Sequence, residues 1–148
     1  MDAPDPRRGR YIHSAYHGDS DARRPHESGI QCGRGSGGGY EGAQILGIHF
    51  EGPYLDMDYK GAQPPEAIAS ASIEQFQMYQ EAAKGLIRYI TLAPEHDPGH
   101  ALTRYCASHG VTVSMGHSSA SYEEALLGIA NGVTSMTHVY NGMTPYHH

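Results

Sequence analysis

An α/β fold with parallel strands is predicted for this chain. Short apolar runs alternate with helix-length segments from residue 43 to residue 148, and chemically reactive side chains recur at the ends of those runs. Strands separated by helices of about ten residues are the pattern of parallel βαβ units. Open doubly wound sheets and closed barrels share it, and periodicity alone does not separate them. The 148 residues are enough for one modest domain, while a complete eight-fold barrel needs about 200 or more.

The first strand is predicted over Gln44-Ile45-Leu46-Gly47-Ile48-His49-Phe50. A loop bearing proline and glycine follows, from Gly52 to Pro65. Ser72, with Gln75 three residues later, reads as a capping box that opens a helix of about ten residues, ending near Gly85. Leu86 to Leu92 is the second strand. Residues 98–109 read as a helix stopped by Gly110. Val111 to Met115 is the third strand. Tyr122 to Ala130 is a helix with Glu123 and Glu124 in its first turn, where the helix dipole favours them. Val133 to Thr137 is the fourth strand.

Residues 1–42 differ in kind. They hold nine glycines and six arginines, and after Met1 their only large aliphatic residues are Ile12 and Ile30. No period of 2 or 3.6 is found there. Such a segment buries too little apolar area to offset its ordering entropy, so an irregular, disordered segment is expected. The predicted domain is therefore residues 43–148.

Composition narrows the function classes. A formal charge of −6 and a pI near 5.9 speak against nucleic-acid binding, which favours a basic stripe. No apolar run approaches the roughly 18 residues of a membrane span. The first residues lack the apolar centre of a signal peptide. Cys32 and Cys106 stand far apart without a CxxC, which predicts no disulfide framework and a reducing cytoplasm. Eleven histidines raise the expectation of metal chemistry, provided their spacing suits it.

The spacing is suggestive. The first strand ends in His49-Phe50-Glu51, the third in Gly116-His117-Ser118 and the fourth in Thr137-His138-Val139. In a parallel α/β fold these C-terminal ends converge on one rim, where sites form. One carboxylate and two imidazoles there would make a three-ligand catalytic metal site with a position left open. The same residues also suit ordinary roles, with Glu51 capping the following loop and both histidines hydrogen-bonded at strand ends. His49 is expected to face away from Glu51 and to be structural. Glu95, at a strand end, suits a loop or capping role better than the catalytic one its position also allows, and Met57, Met78, Met115, Met136 and Met143 read as packing residues.

Five strings in order resemble the N-acetylglucosamine-6-phosphate deacetylases, metal-dependent amidohydrolases of the TIM-barrel class. They are Leu46-Gly47-Ile48-His49-Phe50-Glu51-Gly52-Pro53-Tyr54-Leu55, Lys60-Gly61-Ala62-Gln63-Pro64, Thr91-Leu92-Ala93-Pro94-Glu95, Ser114-Met115-Gly116-His117-Ser118 and Met136-Thr137-His138-Val139-Tyr140-Asn141-Gly142-Met143. The resemblance covers roughly residues 41–148. It implies a partial TIM barrel, and it implies that Glu51, His117 and His138 hold a divalent metal, zinc or iron. It places Ala62, Gln63, Asn141 and Gly142 against an amino-sugar phosphate substrate. Some members carry histidine in place of Gln63, and many carry alanine in place of Gly142. The implied reaction is hydrolysis of the acetamide of N-acetylglucosamine 6-phosphate to glucosamine 6-phosphate and acetate. Whole relatives are expected to form homo-oligomers.

The family's general acid–base aspartate, its phosphate-gripping arginine and its small β-sandwich have no counterpart in these residues. The 148 residues alone are therefore expected to be catalytically inactive, at most binding metal. Part of residues 1–42 is also compatible with an out-of-frame translation of the segment that precedes Glu51 in the family. A different amidohydrolase, such as a cyclic-amide hydrolase or a deaminase, is the rival reading. The Lys60–Pro64 string and the Tyr140–Met143 turn weigh against it.

Overall fold

A computed structural model describes residues 10–14 and 45–146. Five strands form one sheet in the order β1-β2-β3-β4-β5, and every neighbouring pair is parallel. They are β1 (Arg10–Ser14), β2 (Ile45–Glu51), β3 (Ile87–Leu92), β4 (Thr112–Met115) and β5 (Val133–Met136). Three helices alternate with the later strands: α1 (Ile73–Ala82), α2 (Ala101–Ser108) and α3 (Tyr122–Ala130). The strand order settles what periodicity left open. A doubly wound sheet reverses its order at a switch point, whereas this one runs sequentially, as in the wall of a (β/α) barrel. The sheet is an open arc of that wall.

The predicted strands and helices from residue 43 onward are all present, with small shifts at their ends. The largest is in α2, which begins at Ala101 and not at residue 98. Gly99 and His100 adopt left-handed φ values of 60° and 53°, which interrupts the helical path. Asp97 takes over the capping, its carboxylate accepting from Leu102 N at 3.1 Å and Thr103 N at 2.7 Å. At α1, Ser72 Oγ accepts from Gln75 N at 3.2 Å, the N-cap half of the expected box. A complete capping box forms at α3, where Ser121 and Glu124 satisfy each other's backbone N–H groups.

Within the Gly- and Arg-rich first 42 residues, Arg10–Ser14 forms β1 and pairs with β2, Ile12 opposite Ile48 and His13 opposite His49. Ladder hydrogen bonds come from the backbone, and the free edge of β2 offers a template to any extended neighbour. The rest of that segment, including Cys32, lies outside the described residues.

The two faces of the sheet differ in chemistry. The helix-covered face packs Ile48, Phe50, Ile90, Leu92 and Val113 against Phe76 and Tyr79 of α1 and Leu102 and Cys106 of α2. The Phe50 and Tyr79 rings lie 4.9 Å apart. The opposite face carries a polar layer. His49 Nε2 meets Thr91 Oγ1 at 2.7 Å, Thr91 Oγ1 meets Thr137 Oγ1 at 2.8 Å, and Ser114 Oγ meets Thr137 Oγ1 at 2.7 Å. All four residues are buried, so these bonds satisfy groups that would otherwise be costly to bury. Gly116 is required here, because a Cβ would lie 2.9 Å from Thr137 Cβ and 3.0 Å from Thr91 Cγ2.

The methionine expectation fails in part. Met115 is buried, whereas Met57, Met78 and Met136 are each about half exposed. α3 is exposed along Leu126, Leu127 and Ile129 and buries only Gly128, which abuts Pro94. No helix among the described residues is long and apolar enough to cross a membrane.

Two substitutions test this division of the core. Ile90 is fully buried and Leu127 is 55% exposed. Ile90→Ala should cost about 2–5 kcal/mol in urea unfolding, as buried large-to-small changes do. Leu127→Ala should stay within about 0.5 kcal/mol.

Candidate metal centre

Glu51 ends β2, His117 follows β4 by two residues and His138 follows β5 by two. Parallel strands in sequential order bring these C-terminal ends to one rim. There His117 Nε2 lies 2.6 Å and His138 Nε2 3.1 Å from the same Glu51 oxygen, Oε1. The two imidazole rings meet edge-on with centroids 5.1 Å apart. One ligand atom from each residue falls within 4.8 Å of the others. The three candidates named from the sequence are thus brought together.

Backbone conformation helps to bring them there. His117 has φ 51° and His138 φ 54°. Non-glycine residues seldom take this left-handed region, and strain of this kind gathers at functional sites. It turns the chain sharply after each strand, so that each imidazole reaches the Glu51 carboxylate. Gly61 and Gly142 lie beside the His117 ring. A Cβ at Gly61 would lie 3.4 Å from His117 Cε1, and one at Gly142 3.5 Å from His117 Nδ1. The two loops that carry Ala62–Gln63 and Asn141–Gly142 therefore flank the His117 ring. Lys60 Nζ donates to Gln63 O at 2.9 Å and Ser118 N to Gly142 O at 3.2 Å, which ties down both loops.

The hydrogen bonds fix the protonation of His117. Its Nδ1 lies 2.7 Å from Tyr59 O. A carbonyl only accepts, so Nδ1 carries the proton and, in the neutral ring, Nε2 presents a lone pair. That lone pair faces a carboxylate oxygen. Two acceptors 2.6 Å apart require positive charge between or upon them, supplied either by a second ring proton or by a bound cation. A carboxylate and two Nε2 atoms are the donor chemistry of His₂Glu zinc sites, so the residues fit a divalent ion. Without an ion, the His117 hydrogen bond draws the Glu51 carboxyl down to about 2 against the opposing effect of burial, with a further contribution from His138. The same bond from Glu51 raises His117, burial opposes it, and the Tyr59 carbonyl adds to it.

His49 is structural, but not for the reason expected. Residues two apart on a strand share a face, so it lies on the side of Glu51. It is occupied in the buried hydroxyl layer and packs edge-on against Tyr89 at 4.4 Å.

Sequence reasoning missed a second cluster. Asp56, Glu95 and His96 also bring donor atoms within 4.8 Å of one another. Their carboxylate oxygens are already engaged. Asp56 Oδ2 accepts from His96 Nε2 and Ser119 Oγ, both at 2.8 Å. Glu95 accepts from Ser118 Oγ at 2.7 Å and Ser119 N at 2.6 Å. The cluster stitches together the loops after β2, β3 and β4. One cue for it was in the sequence: aspartate followed two residues on by a polar loop residue is an Asx-turn pattern.

Fold and site together define an α/β protein whose candidate metal ligands sit at the C-terminal rim of a barrel-type parallel sheet. Similar proteins make the class specific. Over 109 residues the chain is 45% identical to N-acetylglucosamine-6-phosphate deacetylase of Bacillus subtilis (strain 168), covering 72% of this chain and 27% of the relative. The human enzyme of the same name is 37% identical over 113 residues, covering 75% of this chain and 28% of that one. Among solved structures, the Mycobacterium smegmatis deacetylase in complex with N-acetyl-D-glucosamine-6-phosphate superposes with a TM-score of 0.74 at 30% identity, over 82% of this chain and 31% of that one. The Pasteurella multocida deacetylase gives 0.68 at 35% identity, over 80% and 31%. No family model matches the chain. The chain is homologous to a segment of N-acetylglucosamine-6-phosphate deacetylases and spans under a third of their length.

Glu51 has a folded pKa below its unfolded value near 4.5. Its stabilising contribution is therefore fully present above pH 4.5 and is lost as pH falls toward 2. In metal-free protein, the stability lost between about pH 6 and pH 3 in urea titrations should be smaller for Glu51→Gln than for the wild type.

Proposed function

We propose that residues 43–148 form the metal-holding rim of an N-acetylglucosamine-6-phosphate deacetylase, in which Glu51, His117 and His138 bind a divalent ion, zinc or iron. The carrying observation is the convergence of one carboxylate oxygen and two Nε2 atoms at the strand ends of a chain homologous to those deacetylases. A divalent ion held there supplies Lewis acidity, which lowers the pKa of water and polarises an amide carbonyl.

The chain's own residues do the rest of what this rim requires. Glu51 stays ionised at neutral pH and contributes the negative charge that a divalent cation needs. His117 is held by Tyr59 O with its Nε2 lone pair directed to the centre. Ala62, Gln63, Asn141 and Gly142 belong to the two loops that flank His117, which suits contacts to an amino-sugar phosphate. Each loop reaches the imidazole at a glycine of left-handed φ, Gly61 in one and Gly142 in the other. The buried hydroxyl layer of Thr91, Ser114 and Thr137 lies against the strand ends and holds them in register. The setting of the reaction is the reducing cytoplasm, with the whole protein acting as a homo-oligomer on a small soluble substrate.

Two experiments test this reading. Zinc titration of the chain should show one site, lost in Glu51→Ala and in His117→Ala. Grafting residues 43–148 into the Bacillus subtilis deacetylase, in place of the stretch they match, should give a chimera that releases acetate from N-acetylglucosamine 6-phosphate. Glu51→Ala in the chimera should cost at least about 10²-fold in kcat, the scale of losing an electrostatic stabiliser of the reacting centre. A well-folded chimera that binds zinc but has no deacetylase activity would refute the substrate assignment.

A further inference from the structure

The side chain that orients His117 lies outside the proposed ligand set. The His117 Nδ1–H points at the carbonyl of Tyr59, 2.7 Å away. A carbonyl in a loop points wherever its peptide plane is held. That plane follows directly on the Asp58–Tyr59 peptide, which Asp56 holds: its Oδ1 accepts from Asp58 N at 2.8 Å and from Tyr59 N at 3.3 Å. Asp56 is buried although it is charged, and all four of its hydrogen bonds to donors are made within the protein. Its own N–H donates to His117 O at 2.8 Å. Asp56 thus grips the loop of Tyr59 with its carboxylate and the backbone of His117 with its amide. It closes a ring of contacts that runs from Asp56 to Tyr59, to the imidazole and back through the His117 carbonyl.

We infer that Asp56 is a positioning residue for the metal-binding imidazole of His117, acting through the carbonyl of Tyr59. The inference rests on the proposed metal site and adds to it the group that selects the tautomer. With Nδ1–H committed to Tyr59 O, Nε2 is left to bind metal. Partners of this kind, one shell beyond a metal ligand, fix ring orientation, and their loss typically costs about 10–100-fold in metal affinity. The two halves of the grip separate cleanly. The Asp56 N–H bond to His117 O is made by the backbone and survives substitution. The Oδ1 bonds to Asp58 N and Tyr59 N depend on the side chain. Asparagine keeps an acceptor oxygen in the same place, and alanine does not.

The test compares Asp56→Asn, Asp56→Ala and His96→Ala with the wild type in two measurements. One is zinc affinity by competition with a chromophoric chelator. The other is the solvent-exchange rate of the His117 Nδ1–H proton, read by NMR on protein carrying ¹⁵N-histidine. Asp56→Asn should bind zinc within about threefold of the wild type and keep a slowly exchanging ring proton. Asp56→Ala should bind about tenfold more weakly or worse, with the ring proton exchanging fast. His96→Ala removes a partner of the other carboxylate oxygen and should behave as the wild type. If Asp56→Ala does not fold, Asp56→Ser takes its place, because its hydroxyl is too short to span both N–H groups.

Wild-type affinity and ring-proton protection retained in Asp56→Ala would overturn the inference. So would an Asp56→Asn variant as impaired as Asp56→Ala, since charge and not hydrogen-bond geometry would then be at work. A wild-type chain that binds no zinc would refute the metal reading instead. In that case ring-proton exchange in the metal-free proteins decides the positioning role alone: protection lost only in Asp56→Ala supports it, and equal protection throughout overturns it.

Discussion

The rim is organised around one oxygen atom. Glu51 Oε1 is approached by imidazole nitrogens from residues 66 and 87 positions further along the chain. Contacts across such separations incur a large loop-closure cost unless a framework holds the ends together. Here the framework is the run of parallel strands, whose C-terminal ends lie side by side because β2, β3, β4 and β5 pair in sequence order. A reversal at any strand would have carried one of the three residues away. The chemistry of the site and the topology of the sheet are therefore one constraint.

That constraint also explains the division between the two faces. The helix-covered face is aliphatic and aromatic, as expected where helices cover a parallel sheet. The other face carries hydroxyls and His49, fully bonded to one another. A polar layer in which every member is satisfied costs little and holds its members in one geometry, whereas a partly satisfied one would be a liability. It lies directly against the strand ends that bear Glu51, His117 and His138, where a fixed backbone matters most.

Much of this was legible in the sequence, and the limits have physical causes. Strand ends bearing Glu51, His117 and His138 were visible because alternating β and α segments fix which end of each strand meets the rim. The geometry of His117 and His138 was not, because left-handed backbone at a histidine leaves no trace in composition. β1 had no signal in the sequence, because ladder bonds are made by the backbone and the residues around Arg10–Ser14 show no period. The start of α2 moved because Asp97 out-competes the following residues for the cap, a contest between neighbours that a window of apolar residues does not register. Asp56 was overlooked for a similar reason. Its partners Tyr59, His96, His117 and Ser119 are scattered along the chain and gather only in the fold.

The backbone at His138 has a consequence for how the sequence can drift. Its φ of 54° suits glycine far better than any residue with a Cβ, at a difference of roughly 1–2 kcal/mol. The side chain is 45% exposed; what it gives in return is its edge-on contact with the His117 ring and its bond to Glu51 Oε1. Backbone conformation alone would therefore favour glycine at this position, and the imidazole contacts are what histidine adds. A glycine at His138 would relieve that backbone strain and at the same time remove the bond to Glu51 Oε1, so the two effects on stability oppose each other.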